Sequence, residues 1–175
     1  MALVIVPEDT PSVVEIPVGE HVALVDQADY ELVSPHSWRP YLTASGKIYP
    51  YTVVGRKTVF MHRLILTTSA AQIDHRNREP LDNRRCNLRP ATSTQNLANR
   101  SKWRRPDGSP FTSSFKGVSW DRESGKWRAG IRIDRRTRYL GRYTSEIEAA
   151  RAYDRAALAT WGEFARLNFP DEVAS

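Results

Sequence analysis

The chain has 175 residues, which is enough for one ordinary domain or two small ones. Its single cysteine, Cys86, excludes an internal disulfide framework and a cysteine-based zinc site, and so favours a reducing compartment inside the cell. The apolar opening is too short for a signal peptide, and no later run approaches the length of a transmembrane helix. We therefore expect a cytoplasmic protein without a membrane partner.

Positive charge is concentrated in one part of the chain. The whole sequence carries a net charge of +6, yet residues 100–142 contain 13 Lys or Arg against 4 Asp or Glu, a net +9. Binding to phosphate backbones is the commonest reason for such a concentration, and a solubilising charged face is the alternative. Because the charges alternate with residues typical of strands, the pattern favours a folded surface that binds nucleic acid.

The first sixty residues are typical of a β-rich lead-in. Alternating apolar side chains predict a short strand, a turn at Gly19 and a second strand through His21–Val25. Two more strands are predicted at residues 47–54 and 57–60, and a short helix is predicted to begin at Met61.

Residues 73–100 hold the most distinctive combination of side chains. A carboxylate (Asp74) and an amide oxygen (Asn96) are ligands that Mg²⁺ accepts, and a neutral imidazole (His75) can take a proton from water. Neighbours on a regular strand point to opposite faces, so Asp74 and His75 can share a centre only where a strand ends or bulges. Asn87 is suited to binding backbone across the intervening loop, and a helix that begins near Thr92 carries Asn96. A polar loop rich in Asx turns is the alternative interpretation.

Five short motifs occur in order over roughly residues 60–100: His62-Arg63-Leu64, Asp74-His75, Leu81-Asp82-Asn83, Asn87-Leu88-Arg89 and Gln95-Asn96. This set resembles the HNH homing-endonuclease family of phages and mobile introns. The resemblance implies a ββα-metal fold with His75 as general base, Asp74 and Asn96 as catalytic metal ligands and Asn87 as the structural residue of the motif. It implies one Mg²⁺ or Mn²⁺ ion, and Asn99 is a weaker alternative ligand.

A Pro-, Gly- and Ser-rich segment at residues 101–113 predicts a basic linker. A helix is predicted at Ser145–Trp161, where apolar residues recur at helical spacing, and Gly162 is expected to end it. Three strand-like segments lie between the linker and the helix: residues 116–121, 126–133 and 138–143. Together these elements predict a three-stranded antiparallel sheet packed on one helix.

The second half also carries a family pattern: Phe115-Lys116-Gly117-Val118, Gly125-Lys126-Trp127, Tyr139-Leu140-Gly141, Ala152-Tyr153-Asp154-Arg155-Ala156-Ala157 and Asn168-Phe169-Pro170. Over residues 114–170 it resembles the Apetala-two/ERF DNA-binding domain of plant ethylene-response factors. That family lays its sheet in the major groove of DNA. By this resemblance the DNA-contacting residues are Lys116, Arg122, Arg128, Arg132, Arg136, Arg138, Tyr139 and Tyr153.

Two positions depart from the family pattern. Ser119 stands where the family usually has an arginine that reads bases, and Gly130 stands where it has an acidic residue. The plant target sequence therefore does not transfer. We expect Trp127 to pack between sheet and helix, whereas Trp120 is equally suited to the core and to DNA.

The combined prediction is an α+β protein with an HNH domain at residues 1–100, the linker at 101–113 and the DNA-binding domain at 114–170. It acts as a metal-dependent DNA endonuclease of the homing or nicking type, and the alternative is a sequence-specific DNA-binding regulator with a vestigial nuclease fold. Structured RNA is a further possible ligand. The expected partner is double-stranded DNA, and no small-molecule cofactor is expected. We expect the protein to be a monomer or weak dimer in the cytoplasm of a bacterial or phage-infected cell.

Overall fold

A computed structural model describes residues 12–101 and 111–172, and the chain divides into two compact units, Met1–Pro90 and Ala91–Ser175. The division lies at Pro90, ahead of the predicted end of the first domain at residue 100. Most of the predicted basic linker, with Lys102, Arg104 and Arg105, lies outside the described residues, as does the apolar opening of the chain.

The first unit opens with an antiparallel hairpin. β1 (Val13–Val18) pairs with β2 (His21–Asp26) around a turn at Gly19, whose φ of 62° glycine adopts without strain. Both strands and the turn confirm the sequence prediction. Further elements follow in chain order: a 3-10 turn (Gln27–Asp29), α1 (Tyr30–Val33), β3 (Arg39–Leu42), β4 (Ile48–Val54), β5 (Lys57–Phe60), α2 (Met61–Ile65), β6 (Gln72–His75) and β7 (Leu88–Ala91).

Strands β3, β4 and β5 form one antiparallel sheet, and β6 and β7 form a separate two-stranded sheet. The core of the first unit contains Val18, Val25, Val33 and Met61, all of them fully buried. The indole of Trp38 packs into this core and donates a hydrogen bond to the Val33 carbonyl at 2.9 Å. The alternation of buried and exposed residues in β1 and β2 is what anchors the hairpin to this core.

Two buried histidines lie in an aromatic cluster of the first unit. The ring of His62 stacks on Phe60, with 5.7 Å between centroids, and meets the ring of His75 edge-on at 5.3 Å. Burial, with smaller contributions from His75 and Arg63, lowers the pKa of His62 from 6.5 to about 3. These contacts favour a structural role for His62.

The second unit begins with α3 (Ser93–Ala98), which has a capping box. The side chain of Thr92 accepts from the Gln95 backbone, and the Gln95 side chain accepts from the Thr92 backbone. The rest of the unit follows in chain order: β8 (Val118–Asp121), β9 (Lys126–Ile133), β10 (Arg136–Tyr143), α4 (Glu146–Trp161) and 3-10 turns at Gly162–Phe164 and Pro170–Glu172.

The three strands form an antiparallel sheet in the order β10-β9-β8, and α4 packs on it. Ala149, Ala150, Ala152 and Ala157 form the buried face of α4, against Val118, Ala129 and Ile131 of the sheet. These small side chains let the helix approach the sheet closely. The structure confirms the sheet on one helix and the α+β class, but the ββα-metal module of the prediction is not shown.

The close approach of helix and sheet depends on a glycine. Gly117 has a φ of +78°, and a Cβ atom at this position would lie 1.9 Å from Cδ2 of the Tyr153 ring. Gly125 also has a positive φ, +61°, but a Cβ atom there would meet nothing within 4 Å. The two glycines therefore separate the effect of backbone strain from the effect of a clash.

We predict that Gly117→Ala destabilises the protein more than Gly125→Ala. Strain in the left-handed region should cost about 1–2 kcal/mol in either variant, and the clash with Tyr153 should add about 1–3 kcal/mol at Gly117. Urea unfolding measures both. Equal losses in the two variants would contradict the close contact between Gly117 and α4.

We also predict that acid destabilises the first unit through His62. The unfolded histidine titrates near pH 6.5 and the folded one near 3, so in this window only the unfolded chain binds the proton. His62 alone should lower the free energy of unfolding by about 1.4 kcal/mol per pH unit below about pH 6.5, and His75, whose pKa burial lowers to about 4, should add a similar slope. Urea unfolding between pH 7.5 and pH 5 measures this slope. His62→Phe should reduce the slope, and an unchanged slope would assign the acid sensitivity to other groups.

Candidate nucleic-acid interface

The sheet of the second unit has one face covered by α4. On β9, Ala129 and Ile131 are 0% and 1% exposed and pack in the clusters formed with α4. Successive residues of a strand point to opposite sides. Arg128, Gly130 and Arg132 therefore face away from the helix.

Register extends this assignment to the neighbouring strands, because directly paired residues share a side. We name the surface opposite α4 the outer face. Its members are Ser119 and Asp121 on β8, Lys126, Arg128, Gly130 and Arg132 on β9, and Thr137, Tyr139 and Arg142 on β10. All four cations of the outer face are exposed. Asp121 is its one acid.

Arg128 lies at the centre of the outer face. It pairs across β9 with Ser119 on one side and with Arg142 on the other. Its guanidinium carbon lies 5.6 Å from the centroid of the Tyr139 ring, within the range of a cation–π interaction. Two arginines opposite each other repel, so the surface is suited to an anionic partner.

Arg142 is a residue of this face that the sequence interpretation missed. Strand period alone, counted from Tyr139, places residue 142 on the helix side. A bulge between Tyr139 and Gly141 shifts the register and turns Arg142 outward. Gly141 inside the predicted strand was the signal that could have indicated the bulge, and its φ is +135°.

Arg136 and Arg138 lie on the other side of the sheet from Arg128. They pair with Ile133 and Ile131, whose side chains belong to the core beneath the helix. Arg138 lines a groove beside Ala156 of α4. This register places both arginines on the side of the sheet that carries the helix, yet both are exposed, so their DNA contacts stay predictions.

Two further predicted contacts have other roles in the structure. Tyr153 is 3% exposed beneath Gly117, and burial raises the pKa of its phenol well above the usual value. The Lys116 ammonium group donates to the Ala98 carbonyl at 2.6 Å and to the Arg100 carbonyl at 2.9 Å. Lys116 thus binds the C-terminal end of α3, where a cation is favoured.

The remaining predicted contacts are exposed. Arg132 and Tyr139 belong to the outer face, and Arg122 lies in the turn after β8.

Trp127 packs against the core of the sheet and α4, as predicted, and the ring of Trp120 meets it edge-on with 5.0 Å between centroids. Trp120 is 38% exposed.

Asn87 makes the loop contacts that its sequence context indicates. Its side-chain oxygen accepts from the Asn77 backbone at 2.9 Å, and its side-chain amide donates to the Asp82 carbonyl at 2.7 Å. Its carbonyl accepts from the Arg76 backbone. These bonds connect the two ends of the loop between β6 and β7.

Asp74 and His75 form the end of β6, as predicted, and both are buried. Oδ2 of Asp74 accepts two hydrogen bonds from the buried Arg89 guanidinium, at 2.9 and 2.7 Å. A cation at this oxygen would compete with the guanidinium. Burial, partly offset by a hydrogen bond with Asn83, lowers the pKa of His75 to about 4.

The predicted metal ligands do not form a conventional cluster. Within residues 12–101 and 111–172, no group of three or more His, Cys, Asp or Glu could hold a metal ion. Asn96 and the alternative ligand Asn99 belong to the second unit, Asn96 on α3 and Asn99 at its C-terminal cap. A site built from one carboxylate and one amide does not need such a group, so the Mg²⁺ or Mn²⁺ ion stays a prediction.

A three-stranded antiparallel sheet with a helix on one side and four cations on the other is suited to binding nucleic acid. Residues 113–163 match the family model of the AP2 domain, and an AP2 domain is therefore present there. No solved structure matches the chain significantly.

Curated relatives extend the same assignment. The chain is 49% identical over 72 residues to dehydration-responsive element-binding protein 2A of Arabidopsis thaliana, which is 39% of this chain and 21% of that protein. It is 43% identical over 63 residues to the ethylene-responsive transcription factor ERF024 of the same plant, 35% of this chain and 34% of the relative. An AP2-like ethylene-responsive transcription factor, AIL7, is 43% identical over 63 residues, 34% of this chain and 12% of the relative. The chain thus spans between 12% and 34% of their length.

These findings correct the main functional prediction. The matched domain is a DNA-binding one and the relatives are transcription factors, which are not hydrolytic enzymes, so the prediction of a metal-dependent HNH endonuclease is contradicted. The comparisons give no evidence for an HNH module. The comparisons do not test the roles of Asp74, His75 and Asn96 as site residues. The alternative, a DNA-binding regulator, fits better.

We predict that Lys116→Met, which keeps the aliphatic stem, lowers the free energy of unfolding by about 1–2 kcal/mol. The reason is the loss of charged hydrogen bonds to the end of α3. Lys126→Met on the exposed outer face is the matched control and should change stability by less than about 0.5 kcal/mol. Urea unfolding measures stability, and fluorescence anisotropy measures affinity for duplex DNA. A Lys116 variant that is fully stable but loses DNA affinity would reverse this assignment.

Proposed function

We propose that this chain is a sequence-selective regulator that binds duplex DNA through the outer face of its second unit. The observation that carries the proposal is the separation of the two sides of the sheet. The helix side contains the apolar core, while Lys126, Arg128, Arg132 and Arg142 project from the opposite side. The AP2 domain match and the transcription-factor relatives support the same function.

The dimensions of the sheet suit the major groove. That groove is about 12 Å wide and admits a β-ribbon, whose strands lie about 4.8 Å apart. In this pose the exposed arginines reach phosphates and base edges, and Tyr139 offers an apolar ring to thymine methyl groups. The deep, narrow major groove of an RNA duplex does not admit a sheet, so the proposal requires a preference for DNA.

Two finer points belong to the proposal. A monomer is sufficient, because one sheet carries the whole outer face. Plant transcription factors as relatives support a nuclear location over the bacterial or phage-infected cell expected from the sequence. No helix of the described residues is long and apolar enough to cross a membrane.

We predict that Arg128→Ala/Arg132→Ala weakens duplex DNA binding by about ten-fold or more at moderate salt. Each lost phosphate contact reduces the slope of log affinity against log salt by about 1, so the double variant should lose about 2 from that slope. Fluorescence anisotropy with a labelled duplex, repeated at several salt concentrations, measures both quantities. An RNA duplex of the same sequence serves as the comparison ligand.

Arg151→Ala/Arg155→Ala is the matched control. It removes the same charge from the same unit, but from exposed positions on α4. We expect the control variant to bind duplex DNA almost as tightly as the wild type does. Equal losses in the two variants, or equal affinity for DNA and RNA duplexes, would contradict binding through the outer face in the major groove.

A further inference from the structure

We propose that Arg142 reads a guanine from the outer face and that Asp121 is the positioning residue that directs it. The inference rests on the proposed DNA-binding function and adds to it a base-reading residue and its base. It concerns the one acid of the outer face, a carboxylate on a surface that otherwise attracts phosphate.

The ion pair between these residues crosses the sheet. Arg142 lies on β10 and Asp121 on β8, with β9 between them. Nε of Arg142 donates to Oδ2 of Asp121 at 2.7 Å. Two strand spacings amount to roughly 10 Å, so the arginine side chain extends across β9 and its guanidinium lies over the sheet, away from the edge.

The turn after β8 fixes the carboxylate. Oδ1 of Asp121 accepts from the Glu123 backbone at 3.2 Å. Hydrogen bonds from Ser124 and Arg142 hold the pKa of Asp121 below its usual value, so the group is charged at neutral pH. The side chain of Asp121 is 16% exposed, against 48% for Arg142. The acid is the recessed partner, and the cation is presented to solvent.

The ion pair with Asp121 leaves the terminal amino groups of Arg142 available to contact a base. The bond to Asp121 uses Nε, and the terminal amino groups lie beyond it on the guanidinium. Paired donors of this kind match O6 and N7 of guanine in the major groove, the commonest specific contact of arginine. An exposed ion pair contributes little to stability. Stability alone therefore gives little reason for an acid on this face.

Asp121 alone would oppose DNA binding, because it repels phosphates. A purely electrostatic role thus predicts that Asp121→Asn tightens binding to every sequence by the same factor. A positioning role predicts something different. Loss of the carboxylate frees the arginine to adopt many rotamers, so the preference for one guanine falls even though affinity for unrelated DNA is kept or increased.

The experiment uses the full chain. Selection from a random-sequence duplex library gives the preferred site, and anisotropy then measures affinity for that site and for duplexes with each guanine pair replaced by an adenine pair. We expect Arg142→Lys to lose about ten-fold or more of the discrimination at one guanine, since lysine lacks the paired donors. Asp121→Asn should lose discrimination at the same position. Thermal unfolding verifies that both variants are folded.

Glu172→Gln is the matched control, because it breaks a similar exposed ion pair, with Arg151 at 2.9 Å, on the helix side of the unit. It should leave discrimination unchanged. Full discrimination in Asp121→Asn would overturn the positioning role, and so would a loss in Asp121→Asn at a different guanine pair from the one that Arg142→Lys affects. A wild type without measurable duplex affinity would overturn the proposed function itself, and this inference with it.

Discussion

A buried carboxylate connects the parts of the DNA-binding unit. Asp154 on α4 is 5% exposed and accepts from the backbone N–H groups of Asn168 and Phe169 at 2.8–2.9 Å. The Asn168 side chain in turn accepts from the Lys116 backbone at 2.7 Å and donates to its carbonyl at 3.1 Å. A buried charge without such partners would cost several kcal/mol. The helix, the C-terminal segment and the start of the sheet therefore order together.

The shape of the outer face follows from this connection. Lys116 is adjacent to Gly117, and the missing side chain of Gly117 admits the Tyr153 ring, one residue before Asp154. The helix thus lies close to the sheet, and the inner side is filled by alanines and apolar strand residues. With that side closed, the charged residues of β9 project outward. The packed helix thus supports the strands that carry the arginines.

Local patterns predicted the elements well. The bounds of β5 and β9, the cap of α3 and the extent of α4 agree with the sequence, because strand alternation and capping chemistry are local signals. The orientation of side chains depends on less local features. The bulge at Gly141 turns Arg142 outward, Tyr153 is buried beneath Gly117, and Lys116 binds the C-terminal end of α3.

The enzyme prediction, which was wrong, also came from a local pattern of residue types. Its motif residues include Asn87, which connects loop backbone, and Asp74, which pairs with Arg89. Such hydrogen-bonded polar residues have a structural reason to occur in order along a loop. A pattern of residue types does not by itself distinguish that role from catalysis. The family match lies in the other half of the chain, at residues 113–163, and assigns no role to these residues.

The most direct test of the account is an NMR titration of the ¹⁵N-labelled full chain with duplex DNA. The account predicts that the largest shift changes occur at outer-face residues of β9 and β10, among them Arg128, Gly130 and Arg142. The exposed residues of α4, such as Arg151 and Arg155, should shift little. Dominant changes on α4, with a silent outer face, would contradict the claim that this sheet is the surface that binds DNA.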